Sequence, residues 1–398
     1  MLYSRTQPSP PGITHFLDDA YQWLCRAHEK APANHSIWHL RRSWKHTLPK
    51  ITQKLTAHTY RFSPVRLIKS TDGSHLEYWE PSDSIVLKAL TLHLQPALLP
   101  HLSKKCYHLS GRGGVKAATS KIQNLLRSGS YPYVARSDAK GYYANIQHTR
   151  LLELLRQHTS DPITLDLVSQ YCQRSITRGG YYAERRKGIS LGCPISPLMG
   201  ALYLSPLDQA MSKLPGIRYL RFMDDWVILA ESRWKLRRAV RIMNQVLQQL
   251  GLAQHPDKTF IGRTARGFDF LGIQFTATGD ISPSAVSIAR HTEKTAQLYE
   301  QGAPQERIEQ YRQNWLRYLR GILGSAAPAT KDATLTPPPN AMPQQYLSSL
   351  NHSHWSRCPR AGATTTKTTK INENKIKTEQ TSNLPGRDRW GRMCHISG

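Results

Sequence analysis

Three aspartates stand where apolar, strand-like runs end or turn. Asp138 follows the run at residues 133–137, and Asp224 and Asp225 interrupt the apolar run at residues 219–230, about 86 residues further along the chain. Burying an unpaired carboxylate is costly, so a pair of them between apolar strands requires a cation. An isolated Asp-Asp pair is also compatible with a solvated turn, but a third carboxylate at a second strand end favours a shared metal site.

Carboxylates from two strand ends can hold two Mg²⁺ ions about 3.5–4 Å apart, and Mn²⁺ could replace them. One ion of such a pair activates a hydroxyl, and the other holds a triphosphate and its leaving pyrophosphate. Magnesium prefers oxygen ligands and accepts several of them from substrate phosphates, so a sparse set of carboxylates suffices. The residues therefore indicate metal-assisted nucleotidyl transfer.

A glycine-containing block at residues 187–198 lies between the two sets of carboxylates. Gly188 and Gly192 would let a substrate approach the backbone closely, because they carry no side chain. Ser196 and Pro197 can begin the next helix, as its capping residue and its first-turn proline. Taken alone, this block is also an ordinary loop that leads into a helix.

The charge of the chain indicates a polyanionic partner. The 398 residues contain 54 Lys and Arg against 27 Asp and Glu, a formal net charge of +27. The excess is not confined to the end of the chain, since residues 326–398 hold only ten Lys and Arg and four Asp and Glu. A basic body of this kind favours a nucleic-acid partner, with a ribosomal or anionic-membrane protein as the alternative.

Six cysteines are scattered without a Cys-x-x-Cys pair, which argues against a zinc site and against a disulfide framework. The first residues lack the apolar run of a signal peptide, and no run approaches 18 apolar residues. We therefore expect a reduced, cytoplasmic protein without a membrane partner.

Helices and strands are interleaved without regular βαβ repetition, which predicts an α+β fold. Helical patterns occupy residues 16–30, 37–55, 82–94 (capped by Ser82 and stopped before Pro96), 149–158, 234–250 and 285–323, with an interruption at 302–304. Strand-like runs occupy residues 65–68 and 76–79 around the turn Thr71-Asp72-Gly73, and then 133–137, two strands within 219–230, and 268–275.

The blocks at residues 137–143, 187–198 and 221–227 resemble, in this order and spacing, motifs A, B and C of the reverse transcriptase family. Segments that flank them agree: residues 110–113, 255–259 and 267–272. Over roughly residues 60–325 the chain is most similar to bacterial group II intron-encoded and group II-like enzymes. The resemblance implies a right-hand polymerase fold of fingers, a palm with an antiparallel sheet, and a short helical thumb.

The same resemblance divides the chain into four parts. Residues 1–60 would be an N-terminal extension, 61–282 the fingers and palm, and 283–325 the thumb. Residues 326–398 are polar and rich in Thr, Lys and Asn, so we expect a disordered tail. A truncated or frame-shifted C-terminus is an alternative explanation of that composition.

The resemblance also assigns roles to residues. Asp138 and Asp224 would be the principal metal ligands, with Asp225 in support and the carbonyl of Ala139 as a further oxygen ligand. Tyr143 would be a steric gate that excludes the ribose 2′-hydroxyl and so favours dNTPs. A core aromatic is the alternative for Tyr143, because its neighbour in sequence is also a tyrosine.

Several basic residues would contact the substrates. Lys258 is a candidate general acid for the pyrophosphate leaving group, with a solvated loop lysine as the alternative. Lys69 could neutralise the triphosphate, and Arg66 competes for that role. Arg112 would contact the template, the triphosphate or the phosphate backbone. Gly192 would lie close to the substrate.

The chain departs from the family pattern at three places. Ser190-Leu191 stands where group II-type enzymes usually carry Pro-Gln, so a polar contact to the incoming nucleotide is replaced by Leu191. The sequence His75-Leu76-Glu77 replaces an Arg-Pro stretch. No Cys-rich endonuclease pattern follows the thumb segment, so DNA cleavage is not expected.

The resemblance predicts an RNA-directed DNA polymerase that extends a DNA or RNA primer on an RNA template with dNTPs. An intron or another structured RNA is a further expected partner. One alternative is an RNA-binding, maturase-like protein without polymerase activity, although three clustered carboxylates would cost a pure binder stability. Another is template-independent or protein-primed DNA synthesis by the same fold, for example in phage defence.

Overall fold

The computed structural model describes residues 12–69, 75–178 and 181–324. The predicted turn at residues 71–73 and the predicted disordered tail at 326–398 lie outside these ranges. None of the helices within them combines the length and the apolar character that crossing a bilayer requires.

The described residues form helices and strands in alternation, as expected for a mixed fold. The helices are α1 Leu17–Ala27, α2 Ile37–Thr56, α3 Pro81–Leu98, α4 Gly114–Arg127, α5 Tyr142–Asn145, α6 His148–Arg156, α7 Pro162–Cys172, α8 Ser196–Tyr203, α9 Ser205–Ser212, α10 Arg233–Gln249, α11 Ala285–Glu300 and α12 Gln305–Leu323. The strands are β1 Val65–Lys69, β2 His75–Tyr78, β3 Tyr133–Asp138, β4 Ser175–Arg178, β5 Tyr181–Glu184, β6 Ile217–Phe222, β7 Asp225–Ala230, β8 Phe260–Arg263, β9 Phe268–Phe270, β10 Ile273–Phe275 and β11 Ile281–Pro283.

An antiparallel sheet of strand order β6-β7-β3-β8 separates two hydrophobic cores. Alternate residues of its strands point to opposite faces. Val134 and Val227 belong to the core shared with α4 and α12, whereas Ala135 and Ile228 belong to the core shared with α9 and α10. The sheet is therefore covered by helices on both faces. A site that a substrate can reach would have to lie at the ends of its strands.

A second sheet, of order β2-β1-β4-β5, contains a buried ion pair whose arginine also binds a loop outside the sheet. Arg174 donates two hydrogen bonds of 2.7 Å to the carboxylate of Glu77, and a third of 3.1 Å to the carbonyl of Gly188. Burial raises the pKa of Glu77, but the hydrogen bonds and charge of Arg174 outweigh it, so the net pKa is lowered. The pair fixes strand β2 to the loop that precedes α8.

The structure corrects both predicted ends of the helix at residues 82–94. Helix α3 begins at Pro81 with Glu80 before it, and the side chain of Ser82 is not its cap. Proline suits the first position of a helix, since its missing N–H would have no partner there. The helix continues through Pro96 to Leu98, because a proline this close to the end removes only one of the last hydrogen bonds.

The strand-like run at residues 268–275 is a hairpin and not a single strand. Strands β9 and β10 pair antiparallel, with Phe270 opposite Ile273. The two residues between them have positive φ angles, 53° at Leu271 and 74° at Gly272. A two-residue hairpin turn needs such angles, and Gly272 supplies one at little cost.

We expect Glu77→Gln to lower the free energy of unfolding by about 3 kcal/mol at pH 7, because Arg174 would remain buried opposite a neutral amide. Since the folded-state pKa of Glu77 is lowered, its contribution is complete above the ordinary carboxyl pKa of 4.5 and is lost as the pH falls through the folded value. The difference between wild type and Glu77→Gln in urea unfolding should therefore shrink below that pH.

The matched control is Glu80→Gln, whose carboxylate contacts the exposed Arg66. We expect it to differ from wild type by less than about 1 kcal/mol at every pH. Equal effects of the two substitutions would contradict a special role of the buried pair.

Candidate active site

The structure brings Asp138, Asp224 and Asp225 together at one end of the antiparallel sheet. Asp138 ends β3 and pairs in register with Asp225, the first residue of β7. Asp224 lies in the two-residue turn between β6 and β7. One carboxylate oxygen of each residue lies within 4.8 Å of the others, and Asp138 and Asp224 are buried. Three like charges at this distance repel each other, so the fold must hold them in place.

The turn that carries Asp224 is fixed by three hydrogen bonds to its backbone, two with side chains and one with the main chain. Met223 has a φ of 56°, an uncommon and strained conformation for a residue other than glycine. Its N–H donates to Nδ1 of His108 at 2.9 Å, and its carbonyl accepts from Arg221 at 2.7 Å. The carbonyl of Asp224 accepts from the N–H of Ala139 at 3.2 Å. These contacts hold the strained turn in a single position.

Arg221 is anchored in turn by a fully buried ion pair with Asp208 of α9. Its Nε and Nη2 donate to the two carboxylate oxygens at 2.8 and 2.5 Å, and the hydroxyl of Tyr219 donates to the same carboxylate at 3.0 Å. Burial alone would lower the pKa of Arg221, but the charge of Asp208 raises it above its usual value. The guanidinium therefore stays charged, and it links α9 to the turn.

His108 joins the turn to the start of α8. Its Nδ1 accepts from the N–H of Met223, so the proton must lie on Nε2, which donates to the carbonyl of Pro197 at 3.2 Å. Burial, together with the charge of Arg221, lowers the pKa of His108 to about 3, so the ring is neutral. Sequence reasoning did not identify His108, and nothing in its local pattern marks it. Arg221 carried a signal, because a charged residue inside an apolar strand needs a buried partner.

The two neighbouring tyrosines have different environments. Tyr142 is buried, and its hydroxyl donates to the carbonyl of Gly200 in α8. Tyr143 is only partly buried, and its ring packs so close to α8 that a Cβ on Gly200 would lie 3.1 Å from it. Of the two rings, Tyr143 is therefore the one that a substrate could contact.

The glycines of the block at 187–198 have different surroundings. A Cβ on Gly188 would lie 2.9 Å from the backbone of Ala144, and the N–H of Gly188 donates to the carbonyl of Ile146 at 2.7 Å. The close approach at Gly188 is thus to the chain itself and not to a substrate. Gly192 has a φ of 84° and open space where a Cβ would lie, so its backbone can be approached.

Ser196 begins α8 but does not cap it, contrary to the prediction. Its hydroxyl donates to the carbonyl of Ser190 and contacts the hydroxyl of Tyr171. Ser190 is buried and accepts a 2.9 Å hydrogen bond from the indole N–H of Trp79, whereas Leu191 is 38% exposed. The serine of the Ser190-Leu191 departure is therefore a structural residue, and the leucine faces outward.

The other predicted basic residues lie in different surroundings. Lys258 places its ammonium 2.5 Å from the carboxylate of Asp138, with 40% of its side chain exposed. Arg66 pairs with Glu80, and Arg112 donates to a main-chain carbonyl of the α3 end, that of Leu99, at 3.0 Å. The side chain of Lys69 lies outside the described part of the structure. Among these residues, Lys258 is the one that reaches the aspartates.

We expect Asp208→Asn to lower the free energy of unfolding by about 3–5 kcal/mol, because it leaves Arg221 buried without a counter-charge. Guanidinium unfolding followed by circular dichroism measures this. Glu231→Gln, which removes the exposed partner of Lys235, is the control and should change stability by less than about 1 kcal/mol. A variant of Asp208 as stable as the control would contradict the role given to this pair.

Three comparisons relate the chain to known proteins. Residues 81–275 match the family model described as reverse transcriptase (RNA-dependent DNA polymerase). The chain is 28% identical over 160 residues to a retrovirus-related Pol polyprotein from the type-1 retrotransposable element R2 of Nasonia vitripennis, covering 36% of this chain and 15% of that protein. It is 25% identical over 177 residues to an uncharacterized 91 kDa protein in the cob intron of Schizosaccharomyces pombe, covering 42% of this chain and 21% of that protein.

The chain thus spans less than a quarter of the length of these curated relatives. Neither relative is bacterial, so the narrower prediction of a bacterial group II enzyme is not confirmed. Among solved structures, two of apo telomerase from Candida tropicalis are similar, both with a TM-score of 0.40. The first is 16% identical and covers 51% of this chain and 45% of its own chain. The second is 14% identical and covers 53% of this chain and 41% of its own chain.

The matched segment contains the three aspartates and the residues that hold the turn of Asp224. It begins at α3, ends with β10, and includes both strand ends, the turn between β6 and β7, and the helices that carry Asp208 and Gly200. Its mixture of helices and sheets agrees with the right-hand polymerase fold of the matching family. Residues 81–275 of this chain therefore resemble a reverse transcriptase domain over their full length.

Proposed function

We propose that the chain is an RNA-directed DNA polymerase, which extends a primer 3′-hydroxyl with dNTPs by two-metal-ion nucleotidyl transfer. The observation that carries this proposal is that one carboxylate oxygen each of Asp138, Asp224 and Asp225 lie within 4.8 Å of one another, at a strand end inside the segment that matches the reverse transcriptase family. Carboxylate oxygens are the ligands that Mg²⁺ and Mn²⁺ prefer, so the donor set fits such ions.

Asp138 and Asp224 would hold the metal ions, supported by Asp225 and by the carbonyl of Ala139. When bound, a pair of ions activates the attacking hydroxyl and neutralises charge on the triphosphate. The protein supplies the positions of the ligands: the hydrogen bonds of His108 and Arg221 to Met223 keep the turn from moving under the repulsion among the carboxylates. Preorganised ligands of this kind need no rearrangement during the reaction.

Lys258 would serve the leaving group. Its ammonium forms an ion pair with the carboxylate of Asp138. Because the lysine side chain is partly exposed, it could also contact a phosphate bound next to Asp138. From that position it would balance the charge of the departing pyrophosphate and donate a proton to it.

Tyr143 would act as the steric gate against the ribose 2′-hydroxyl. Its partial burial supports this choice over Tyr142, whose hydroxyl is used inside the core. Gly192 would lie next to the substrate, since open space adjoins it. Contacts of Lys69, Arg66 and Arg112 with the triphosphate or template remain predictions.

The domain assignment is part of this proposal. Residues 61–282 would form the fingers and palm, with the sheet β6-β7-β3-β8 as the palm. Helices α11 and α12 pack against each other within residues 283–325 and would form the thumb. Residues 1–60 would be the N-terminal extension, which supplies α1 and α2.

The test of the function is primer extension on a heteropolymeric RNA template with dNTPs and Mg²⁺. We expect Asp224→Asn to reduce synthesis by on the order of 1000-fold, because several kcal/mol of transition-state stabilisation depend on the metal ligands. RNA binding by this variant should stay equal or tighten, since a negative charge leaves the site.

The control for this experiment is Asp257→Asn, which neutralises a carboxylate that is 89% exposed on the segment leading to Lys258. It should extend the primer like wild type. Template-complementary DNA made equally well by Asp224→Asn would refute the metal assignment. Product that does not follow the template sequence would refute the template-directed function.

We expect Tyr143→Ala to lower the preference for dNTPs over NTPs by roughly tenfold or more, because the space for a 2′-hydroxyl would open. Single-nucleotide incorporation with matched dNTP and NTP measures the ratio. Tyr143→Phe keeps the ring and should keep the preference. A ratio that does not change in Tyr143→Ala would show that another residue is the gate.

A further inference from the structure

Helix α10 presents a basic face with an exposed tryptophan to the surroundings. Trp234 is 74% exposed, and the guanidinium of Arg237 lies over its ring, 5.3 Å from the centroid. Arg238 and Arg241 are exposed beside it, at helical spacing along the same face. The opposite face of the helix is buried and packs on the central sheet and on α9. This outer face is accessible to the surroundings.

The unbalanced positive charge of α10 lowers the stability of the helix when no anion is bound. The helix contains five basic residues and no acidic residue, and all five lie in its N-terminal half. Positive charges near the N-terminus oppose the helix dipole, and like charges at i,i+4, such as Arg237 and Arg241, repel each other. Of the five, Lys235 has an acidic partner, Glu231, at 2.5 Å. A polyanion on this face would remove the repulsion.

The face lies on the other side of the sheet from the aspartates. In strand β7, Asp225 and Val227 point to one face of the sheet, whereas Trp226 and Ile228 point to the core that contains α10. A strand of nucleic acid on the outer surface of α10 would therefore lie on the side of the sheet opposite to the side chain of Asp225.

We propose that the outer face of α10 is a second RNA-binding surface, which takes an RNA stem-loop. The arginines would contact successive phosphates, and an unpaired loop base would stack on the ring face of Trp234 that Arg237 does not cover. From Arg233 to Arg241 the helix extends about 12 Å, enough to meet more than one phosphate. The choice of RNA rests on the proposed function, in which RNA is the template.

Charge complementarity argues against other occupants of this face. Residues 326–398 of the chain are themselves basic, with ten Lys and Arg against four Asp and Glu, so the arginines would repel them. A second copy with the same face opposite would bring two sets of arginines together. RNA offers negative charge that complements the arginines and flat bases that can stack on Trp234.

The experiment is the binding of a labelled RNA stem-loop to the full chain, followed by fluorescence anisotropy at several salt concentrations without dNTPs. The cleft is first saturated with an unlabelled short primer–template. The variants are Arg237→Gln/Arg238→Gln and Trp234→Ala. The matched control is Arg150→Gln/Arg156→Gln, which removes two exposed charges from helix α6.

We expect the Arg237→Gln/Arg238→Gln variant to bind the stem-loop roughly tenfold more weakly near 0.1 M salt, with a salt slope smaller by about two. Trp234→Ala should weaken stem-loop binding about tenfold but affect a blunt duplex of the same stem much less. The control should stay within about twofold of wild type. Displacement of the stem-loop by primer–template, or an equal loss in the control, would overturn the proposal.

Binding is read without synthesis, so the two proposals can fail separately. Asp224→Asn should bind the stem-loop like wild type, whether or not the wild type extends a primer. Loss of stem-loop binding in Asp224→Asn, with the α10 variants unaffected, would place the RNA at the aspartates and overturn the second surface.

Discussion

Repulsion among three carboxylates is the constraint on which the rest of this structure depends. Asp138, Asp224 and Asp225 lie within 4.8 Å of one another, and two of them are buried. The antiparallel register fixes Asp138 opposite Asp225, and a slip by one residue would turn a carboxylate to the other face of the sheet. The strained φ of Met223 belongs to the same arrangement, because it turns the chain within two residues between β6 and β7.

One buried ion pair connects this strand end to a neighbouring helix, and another holds the second sheet. Arg221 and Asp208 link the turn to α9, while Arg174 and Glu77 link the second sheet to the loop before α8. Each pair is costly to form and far more costly to break, so each favours one arrangement of its segments over others. His108 adds a neutral connection between the turn and the carbonyl of Pro197. The polar interior thus specifies geometry more than it adds stability.

The sequence predicts the parts of this fold that follow local periodicity. The ends of α2 and α10 are predicted to within a residue, and the strand ends that carry the three aspartates are predicted from apolar runs and a turn. Contacts between distant segments are not predictable in this way. Asp208 lies in helix α9 and its partner Arg221 in strand β6, His108 lies in an irregular segment, and the neighbour of Gly188 is the backbone of Ala144. The predicted ends of α3 were wrong because Pro81 can begin a helix and because burial of the helix outweighs the local tendency of Pro96 to end it.

The central claim is that the three aspartates form the metal site. The most direct test is the electron paramagnetic resonance of Mn²⁺ bound to the full chain with a dideoxy-terminated primer on RNA template and the matching dNTP. We expect a coupled pair of Mn²⁺ ions in wild type, which Mg²⁺ displaces by competition, and we expect this coupling to be lost in Asp138→Asn. An identical coupled spectrum in Asp138→Asn would contradict this claim.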